Sequence, residues 1–508
     1  MGLTWVCRKA RRRRSPHDDA RSKACAGRVS GCVGFLRGGV LALKIYSADY
    51  VLTMDVDNRV IPDGAILVDG SDIVAVGSTA EVVANAGGVE HIKLPKRLLM
   101  PGLINAHMHS GLLRGTAEGL KLWDWLRLYI DPMHRVLTAQ EAEIASKLCY
   151  AEAILSGTTT LVDMWRYLDG SARVAQALGN RCVLVSYVGE HPDYNYFDSL
   201  DDNQRLIERW RGAADGRIMP WVGMEHMFYF EEHHYQRVVD LAQRYQVGLH
   251  THVGESLAEV EIMQSRYGLR PVQAMERFGL LDIDQVLFAH CVWLDESEIA
   301  RLAQRNVGVA HNPTSNLKLV SGMAPISEMI AAGVHVGIGT DGEKENNNLD
   351  MFEEMKFASL LAKTREQDPT AADAWQVLRM ATIEGARALG LGDLIGSLEP
   401  HKRADFIAVR TDTPRMTPIF SGEYFNLHHN LVFAVQGGDV DLTVCDGREL
   451  ARGGELRTGD LSAIMQEVQD CVPQLFARRA AWLAENGDGA VSPVTPSSAA
   501  AGDRVNDH

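Results

Sequence analysis

The 508-residue chain has no apolar run of about 18 residues, the length a helix needs to cross a bilayer, so no helical membrane span is expected. Its eight cysteines (Cys7, Cys25, Cys32, Cys149, Cys182, Cys291, Cys445 and Cys471) are scattered, with no Cys-x-x-Cys pair. That spacing argues against a disulfide framework or zinc ribbon and fits a reducing, cytoplasmic setting. Basic residues are also scarce: 51 Lys and Arg face 66 Asp and Glu, a net charge of −15. The shortage is concentrated, because residues 1–44 carry eleven Lys/Arg against Asp18 and Asp19; removing that +9 from −15 leaves −24 elsewhere. Such acidity speaks against nucleic acid as substrate, since phosphate contacts need Lys and Arg. The basic leader, with Arg11 to Arg14, lacks an apolar stretch before a small-residue cleavage site. It reads as a disordered tail or an over-long start, with the natural beginning near Val40.

The 46% apolar and 23% charged residues are those of an ordinary globular protein, long enough for a large core. From Leu41 to Leu99 short strands alternate with turns. Ala65–Gly70 and Ile73–Gly77, across an Asp/Gly/Ser turn, read as a hairpin. From about Leu103 to Leu391 strands alternate with helices. Eight strand candidates can be counted: Gly102–His107, Thr159–Asp163, Arg181–Val188, Ile218–Met224, Gly248–His252, Val286–His290, Gly308–His311 and Val334–Thr340. Eight βα repeats predict an α/β protein with a (β/α)8 TIM-type barrel, its active site at the C-terminal strand ends. Strand character returns at Ile395–Leu398, Ala404–Val409 and Asp441–Cys445. The expected organisation is therefore a small β-sandwich domain (41–100 and 392–460) into which the barrel (101–391) is inserted. A C-terminal amphipathic helix (461–486), interrupted near Pro473, and a disordered tail (487–508) follow.

Polar residues at the predicted strand ends carry the chemistry. Pro101-Gly102-Leu103-Ile104-Asn105-Ala106-His107-Met108-His109 runs an apolar strand into two histidines at i and i+2, which share one side and can grip one metal ion. Strand five adds His250, His252 and Glu255, strand six His290, strand seven His311, and strand eight Asp341. Three imidazoles and a carboxylate converging on one barrel end suit a divalent cation that keeps a position for water. Such an ion would make hydroxide available at neutral pH.

These strings resemble the amidohydrolase superfamily, in the branch of methylthioadenosine/S-adenosylhomocysteine deaminases and s-triazine hydrolases. The resemblance rests on the His107/His109 string, His252-Val253-Gly254-Glu255, Ala289–Leu294, His311–Leu319, Gly339–Gly342, Asn347–Met351 and Ile395–Glu399, in the family's order. It implies one divalent metal ion, zinc ahead of iron, held by His107, His109, His252 and Asp341. It implies that Asp341 and His290 orient and deprotonate the attacking water, and that Glu255 protonates a ring nitrogen and then the leaving group. The choice of His252 over His250 rests on the family's spacing to Glu255. Other superfamily members bridge two metals with a lysine on strand four; here Ile218–Met224 has no lysine, so one metal is expected unless Glu225 substitutes.

Substrate contacts are expected from Trp123 and Trp125 stacking on a flat ring, from His226 in a His-x-x-Tyr element with Tyr229, from His311 and Asn312 shaping a loop, and from Glu345. Three positions depart from the adenosine-type pattern. A ribose-binding glutamate falls on His134, a carboxylate-clamping arginine falls on Ser186 or Tyr187, and small residues after Asp341 become Glu343, Lys344 and Glu345. Losing such polar groups disfavours S-adenosylhomocysteine. The expected activity is thus metal-dependent hydrolytic deamination of an amino-substituted purine, pterin or triazine-type ring, acting on a C–N bond other than a peptide bond. Displacement of chloride or an alkylamine from such a ring is the alternative; a cyclic-amide hydrolase or a non-catalytic binding protein ranks below both. The expected partner is a small heterocycle, with neither nucleic acid nor membrane involved, and the expected state a cytoplasmic homodimer.

Overall fold

The computed structural model describes residues 43–116, 118–192 and 196–487; the predicted leader (1–40) and residues 488–508 of the predicted tail lie outside them. Four strands open the fold: β1 (Leu43–Leu52), β2 (Val60–Asp69), β3 (Asp72–Ser78) and β4 (Glu90–Pro101). Eight parallel strands then close into a barrel: β5 (Leu103–Met108), β6 (Thr158–Trp165), β7 (Arg181–Ser186), β8 (Ile218–Met224), β9 (Leu249–Val253), β10 (Val286–His290), β11 (Gly308–His311) and β12 (Val336–Ile338). Almost every residue of these strands is buried, as expected for parallel strands covered by helices outside and packed side chains inside. The helices between them start on local signals legible in the chain. Thr138 with Glu141 and Asp295 with Glu298 form reciprocal capping boxes for Ala139–Leu155 and Glu296–Arg305.

The β12–β5 seam closes the barrel and matters for the site. Only Ile338 and Asn105 pair across it by backbone register. The Asn105 side chain completes the junction: its Nδ2 donates to Thr340 Oγ1 at 2.7 Å, and its Oδ1 accepts the Thr340 N–H at 3.1 Å. The next N–H, of Asp341, donates to the His107 carbonyl at 3.1 Å. The last strand is thereby locked with its carboxylate beside the first strand's histidine.

The flanking segments meet in one hydrogen-bonded sheet of eight strands, completed by β13 (Phe406–Arg410), β14 (Val440–Cys445), β15 (Arg448–Arg452) and β16 (Glu455–Leu456), in the order β16-β15-β14-β13-β4-β1-β2-β3. Hydrogen bonding runs unbroken through it, so the expected small β domain of N- and C-terminal segments is built from one continuous sheet that curls. Ala404 N–H reaches the Ser71 carbonyl at 2.8 Å, and Tyr46 and Phe406 meet edge to face at 4.9 Å. The C-terminal helix spans Leu461–Asn486 without the predicted break. Pro473 and Gln469 are both exposed, so the carbonyl that loses its donor to proline can turn to solvent. Buried Ile464 and Leu475, with Arg478 paired to Glu141, hold the helix on the barrel. Among the described residues no helix is long and apolar enough to cross a membrane.

Candidate metal centre and active-site pocket

The C-terminal strand ends bring five predicted residues together, all buried: His107 and His109 from β5 and just beyond it, His252 from β9, His290 at the end of β10, and Asp341 after β12. Asp341 Oδ1 lies 3.4 Å from His107 Nε2 and 3.3 Å from His109 Nε2, and the Nε2 atoms of His109 and His252 are 3.2 Å apart. His290 (φ 72°) and Asp341 (φ 59°) both hold left-handed backbone conformations. Such conformations are costly for residues with side chains and persist where the surrounding structure enforces them.

The hydrogen bonds on the far ring nitrogens assign the tautomers. His109 Nδ1 faces the Met164 carbonyl at 2.6 Å, and His252 Nδ1 faces the Glu225 carbonyl at 2.7 Å. Each Nδ1 must therefore carry the proton, leaving each Nε2 a lone pair. His250 Nδ1 likewise donates to the Leu287 carbonyl at 2.9 Å, so its Nε2 accepts from His107 Nδ1 at 2.8 Å. That arrangement frees His107 Nε2, which is buried and has no hydrogen-bond partner. Three imidazole lone pairs thus converge with a carboxylate oxygen of Asp341, which accepts the Gly342 N–H at 2.9 Å. Burial, together with the neighbouring imidazoles, holds His109 and His252 well below the ordinary histidine range and keeps them neutral. Burial opposes ionisation of Asp341, while the Ser315 hydroxyl and the Gly342 N–H each donate to one of its oxygens. Repelling lone pairs at these distances fit a divalent cation, and the donor set of imidazole and carboxylate suits zinc or iron. His250 orients His107 and is not itself a ligand in this arrangement.

A second layer prepares the proton-handling groups. His290 Nδ1 lies 2.9 Å from Asn316 Oδ1, which makes Nδ1 the donor and leaves Nε2 facing Asp341 Oδ2 at 3.7 Å and Glu255 Oε2 at 3.9 Å. Ser315 Oγ donates to Asp341 Oδ2 at 2.6 Å. Glu255 is fully buried; burial raises its carboxyl, with the Ser321 hydroxyl 3.3 Å from Oε1. Its backbone N–H, and that of Gly254, are held by Glu259 at 3.0 and 2.9 Å. Within the His311–Leu319 string, Ser315 and Asn316 read equally as turn residues or as substrate contacts. They lie on the short helix Pro313–Lys318, where only the fold turns them toward the strand ends.

The cavity above this cluster is walled by His109, Leu122, Trp125, Leu126, Ile130, His134, Trp165, Tyr187, Glu225, His226, His252, Glu255, His290, Leu319, Asp341, Lys344 and Glu345. Of the predicted contacts, Trp125, His134, His226 and Glu345 are in this wall. Trp123 packs behind it, 5.6 Å from Phe228 and 6.1 Å from His226. Asn312 lies against the His290 ring, its Nδ2 3.4 Å from Nδ1, and His311 is buried with neither ring nitrogen partnered. Both stand outside the wall. Burial, aided by His290, lowers His311 to about 3. Burial also lowers His134 well below its ordinary value, and both its ring nitrogens lack partners. Burial would lower His226 too, but Glu225, 2.7 Å from its Nδ1, raises it to about 9. Glu225 is thereby engaged by His226 and by the Tyr187 hydroxyl at 3.2 Å, which leaves it poorly placed to bridge a second metal. Glu345 is buried, not a solvated loop charge: its Oε1 lies 3.0 Å from Lys344 Nζ. Tyr187 and Lys344, two of the positions where the adenosine-type pattern is lost, are also in the wall, as is Trp165, which no motif in the sequence marks.

Residues 98–450 match the model of the amidohydrolase family, and the chain belongs to that family. It is 37% identical over 432 residues, covering 84% of this chain and 98% of the relative, to the 5-methylthioadenosine/S-adenosylhomocysteine deaminase of Syntrophomonas wolfei. An adenosine deaminase from Xanthomonas campestris, solved with bound zinc, superposes with a TM-score of 0.81 at 32% identity, covering 85% of this chain and 98% of that one. An atrazine chlorohydrolase from Arthrobacter aurescens TC1, complexed with zinc, gives a TM-score of 0.74 at 25% identity, covering 85% and 100%. The fold and the two-sided resemblance expected from the motifs are thus both found.

Proposed function

We propose that the chain is a hydrolytic deaminase of an amino-substituted N-heterocycle, working at one divalent cation held by His107, His109, His252 and Asp341. The observation that carries this reading is the convergence of three Nε2 lone pairs on the Asp341 carboxylate, with His107 Nε2 buried and unpartnered. The ion, zinc in preference to iron, would supply an acidified water at neutral pH.

The remaining roles follow from the side chains. Asp341 and His290 take up the proton that water loses as it adds to the amino-bearing ring carbon. Glu255, whose carboxyl burial raises, donates to the adjacent ring nitrogen, then recovers a proton through His290 and passes it to the departing amine. Water is consumed, the C–N bond to the amine breaks and ammonia leaves, while the added hydroxyl becomes the ring carbonyl and its proton returns through Asp341 and His290 to Glu255. Trp125, Trp165 and Tyr187 supply flat or apolar walls for the ring, and His134 and His226 polar ones. Trp123, His311 and Asn312 support that wall from behind. The names of the relatives, deaminases of adenosine-type compounds, support the same leaving group. Residues 101–391 form the catalytic unit of this proposal, flanked by 41–100 and 392–460, with a cytoplasmic homodimer as its working form.

Metal analysis of the purified chain followed by an ammonia-release screen over aminated purines, pterins and triazines tests the proposal. One equivalent of zinc or iron and ammonia from at least one ring is the expected result. Chloride or alkylamine release without ammonia would move the chain to the alternative, displacement of chloride or an alkylamine from an s-triazine-like ring.

A further inference from the structure

Lys344 and Glu345 follow the last barrel strand and fold back over it into the cavity. Both are buried, and both line the same wall as His226 and Glu255. Among the described residues the Lys344 ammonium pairs with Glu345 Oε1 at 3.0 Å and stands 5.7 Å from the centre of the Trp165 ring. An ammonium has three N–H donors, so the ion pair leaves donors unspent on a group removed from water. Glu345 Oε2 is likewise buried and without a partner. The fold makes room for this pair: a Cβ at Gly342 would collide with Glu345 Oε2 and lie 2.8 Å from Lys344 Nζ. A buried ion pair with open valences on both members is expensive unless something else fills them.

We infer that the pair reads a lactam edge: Lys344 donates to a ring carbonyl oxygen of the substrate, and Glu345 Oε2 accepts from the adjacent ring N–H. The inference rests on taking this cavity as the substrate pocket. A donor and an acceptor side by side match the C(=O)–N–H edge of an amino-oxo heterocycle. They mismatch an adenine-type ring, whose corresponding edge presents an amino donor beside a bare nitrogen acceptor. Glu345 also holds the ammonium in place, so the two act as one recognition unit. The favoured substrates are therefore aminated rings that carry an oxo group away from the scissile amine.

Guanine and 2,6-diaminopurine test this directly, being alike in size with that edge reversed. Binding is measured by quenching of tryptophan fluorescence in metal-loaded full-length Glu255→Gln protein, where turnover is slowed, and ammonia release is followed in parallel on the unaltered enzyme. The expected result is a dissociation constant at least about tenfold lower for guanine, a preference lost with Lys344→Met and partly kept with Lys344→Arg. Equal affinity, preference for diaminopurine, failure of guanine to bind, or a preference indifferent to Lys344→Met overturns the inference. Because the two ligands are first compared with Lys344 in place, that comparison stands even where the Lys344→Met variant does not fold. A Lys344-dependent preference would uphold the lactam reading even where neither ligand releases ammonia, the deaminase reading then falling only if the wider screen is silent too; ammonia release without the preference would keep the deaminase reading and overturn the lactam one.

Discussion

Asn316 Oδ1 sits 2.9 Å from His290 Nδ1 and so decides which nitrogen of that imidazole faces Asp341 and Glu255. Without that acceptor the ring can adopt the other tautomer or rotate. Asn316→Ala should lower kcat by about 10–100-fold, the usual consequence of losing an orienting partner, with metal content unchanged. Steady-state ammonia release beside metal analysis checks it; a kcat within twofold of the unaltered enzyme would remove Asn316 from the positioning role.

Ser315→Ala removes the hydroxyl that donates to Asp341 Oδ2 at 2.6 Å. The carboxylate stays but loses its lock, so metal affinity should fall by about tenfold or more. Competition against a chromophoric chelator gives the number, and an unaltered affinity would show the bond to be idle.

Glu255→Gln keeps the shape and the Ser321 contact but cannot deliver a proton. Ammonia release should fall by about 10²–10⁴-fold while the metal is retained. Substantial residual activity would transfer the proton-donor role to another group.

Removal of the ion exposes the cost of the site. With three lone pairs and a carboxylate left facing one another, the chelated protein should melt about 5 °C or more below the loaded one, and His107→Ala should show little further change on chelation. Differential scanning calorimetry with and without chelator distinguishes a structural contribution from none.

Far from the site, burial would raise the Glu384 carboxyl, yet the His335 ring at 2.8 Å, Arg387 and Arg379 hold it down to about 2. A carboxyl held down in the folded state contributes stability that is complete above its unfolded value, near 4.5, and is lost as pH falls toward about 2. Glu384→Gln should therefore destabilise by about 1–3 kcal/mol at pH 7, with the difference shrinking below pH 4.5. Urea titrations at pH 7 and pH 3.5 read it; an equal difference at both would break the linkage.

Much of this architecture was legible because local rules and the global fold agree. Each barrel strand announces itself as a short apolar run, and His107, His109, His252, His290 and Asp341 each sit where such a run stops. Parallel strands bury both faces, so a polar residue at their carboxyl ends has nowhere to go but the shared mouth of the barrel. What local pattern could not carry was any relation spanning distant segments. The choice between His250 and His252 turns on which carbonyl each Nδ1 meets, Leu287 or Glu225. The roles of Asn316 and Ser315 depend on a short helix whose direction no periodicity encodes. Pro473 reads as a helix break, but packing of Ile464 and Leu475 carries the helix through it.

The chain by itself determined the order and type of its elements and the chemistry gathered at their ends, because burial and periodicity are local properties that composition writes directly. Tertiary structure alone decided the tautomers, the turning of Lys344 and Glu345 into the cavity, and the β4–β13 pairing that makes one sheet of the two flanking segments. Those outcomes depend on which groups from remote parts of the chain come within hydrogen-bonding distance, and only closure of the barrel sets those distances.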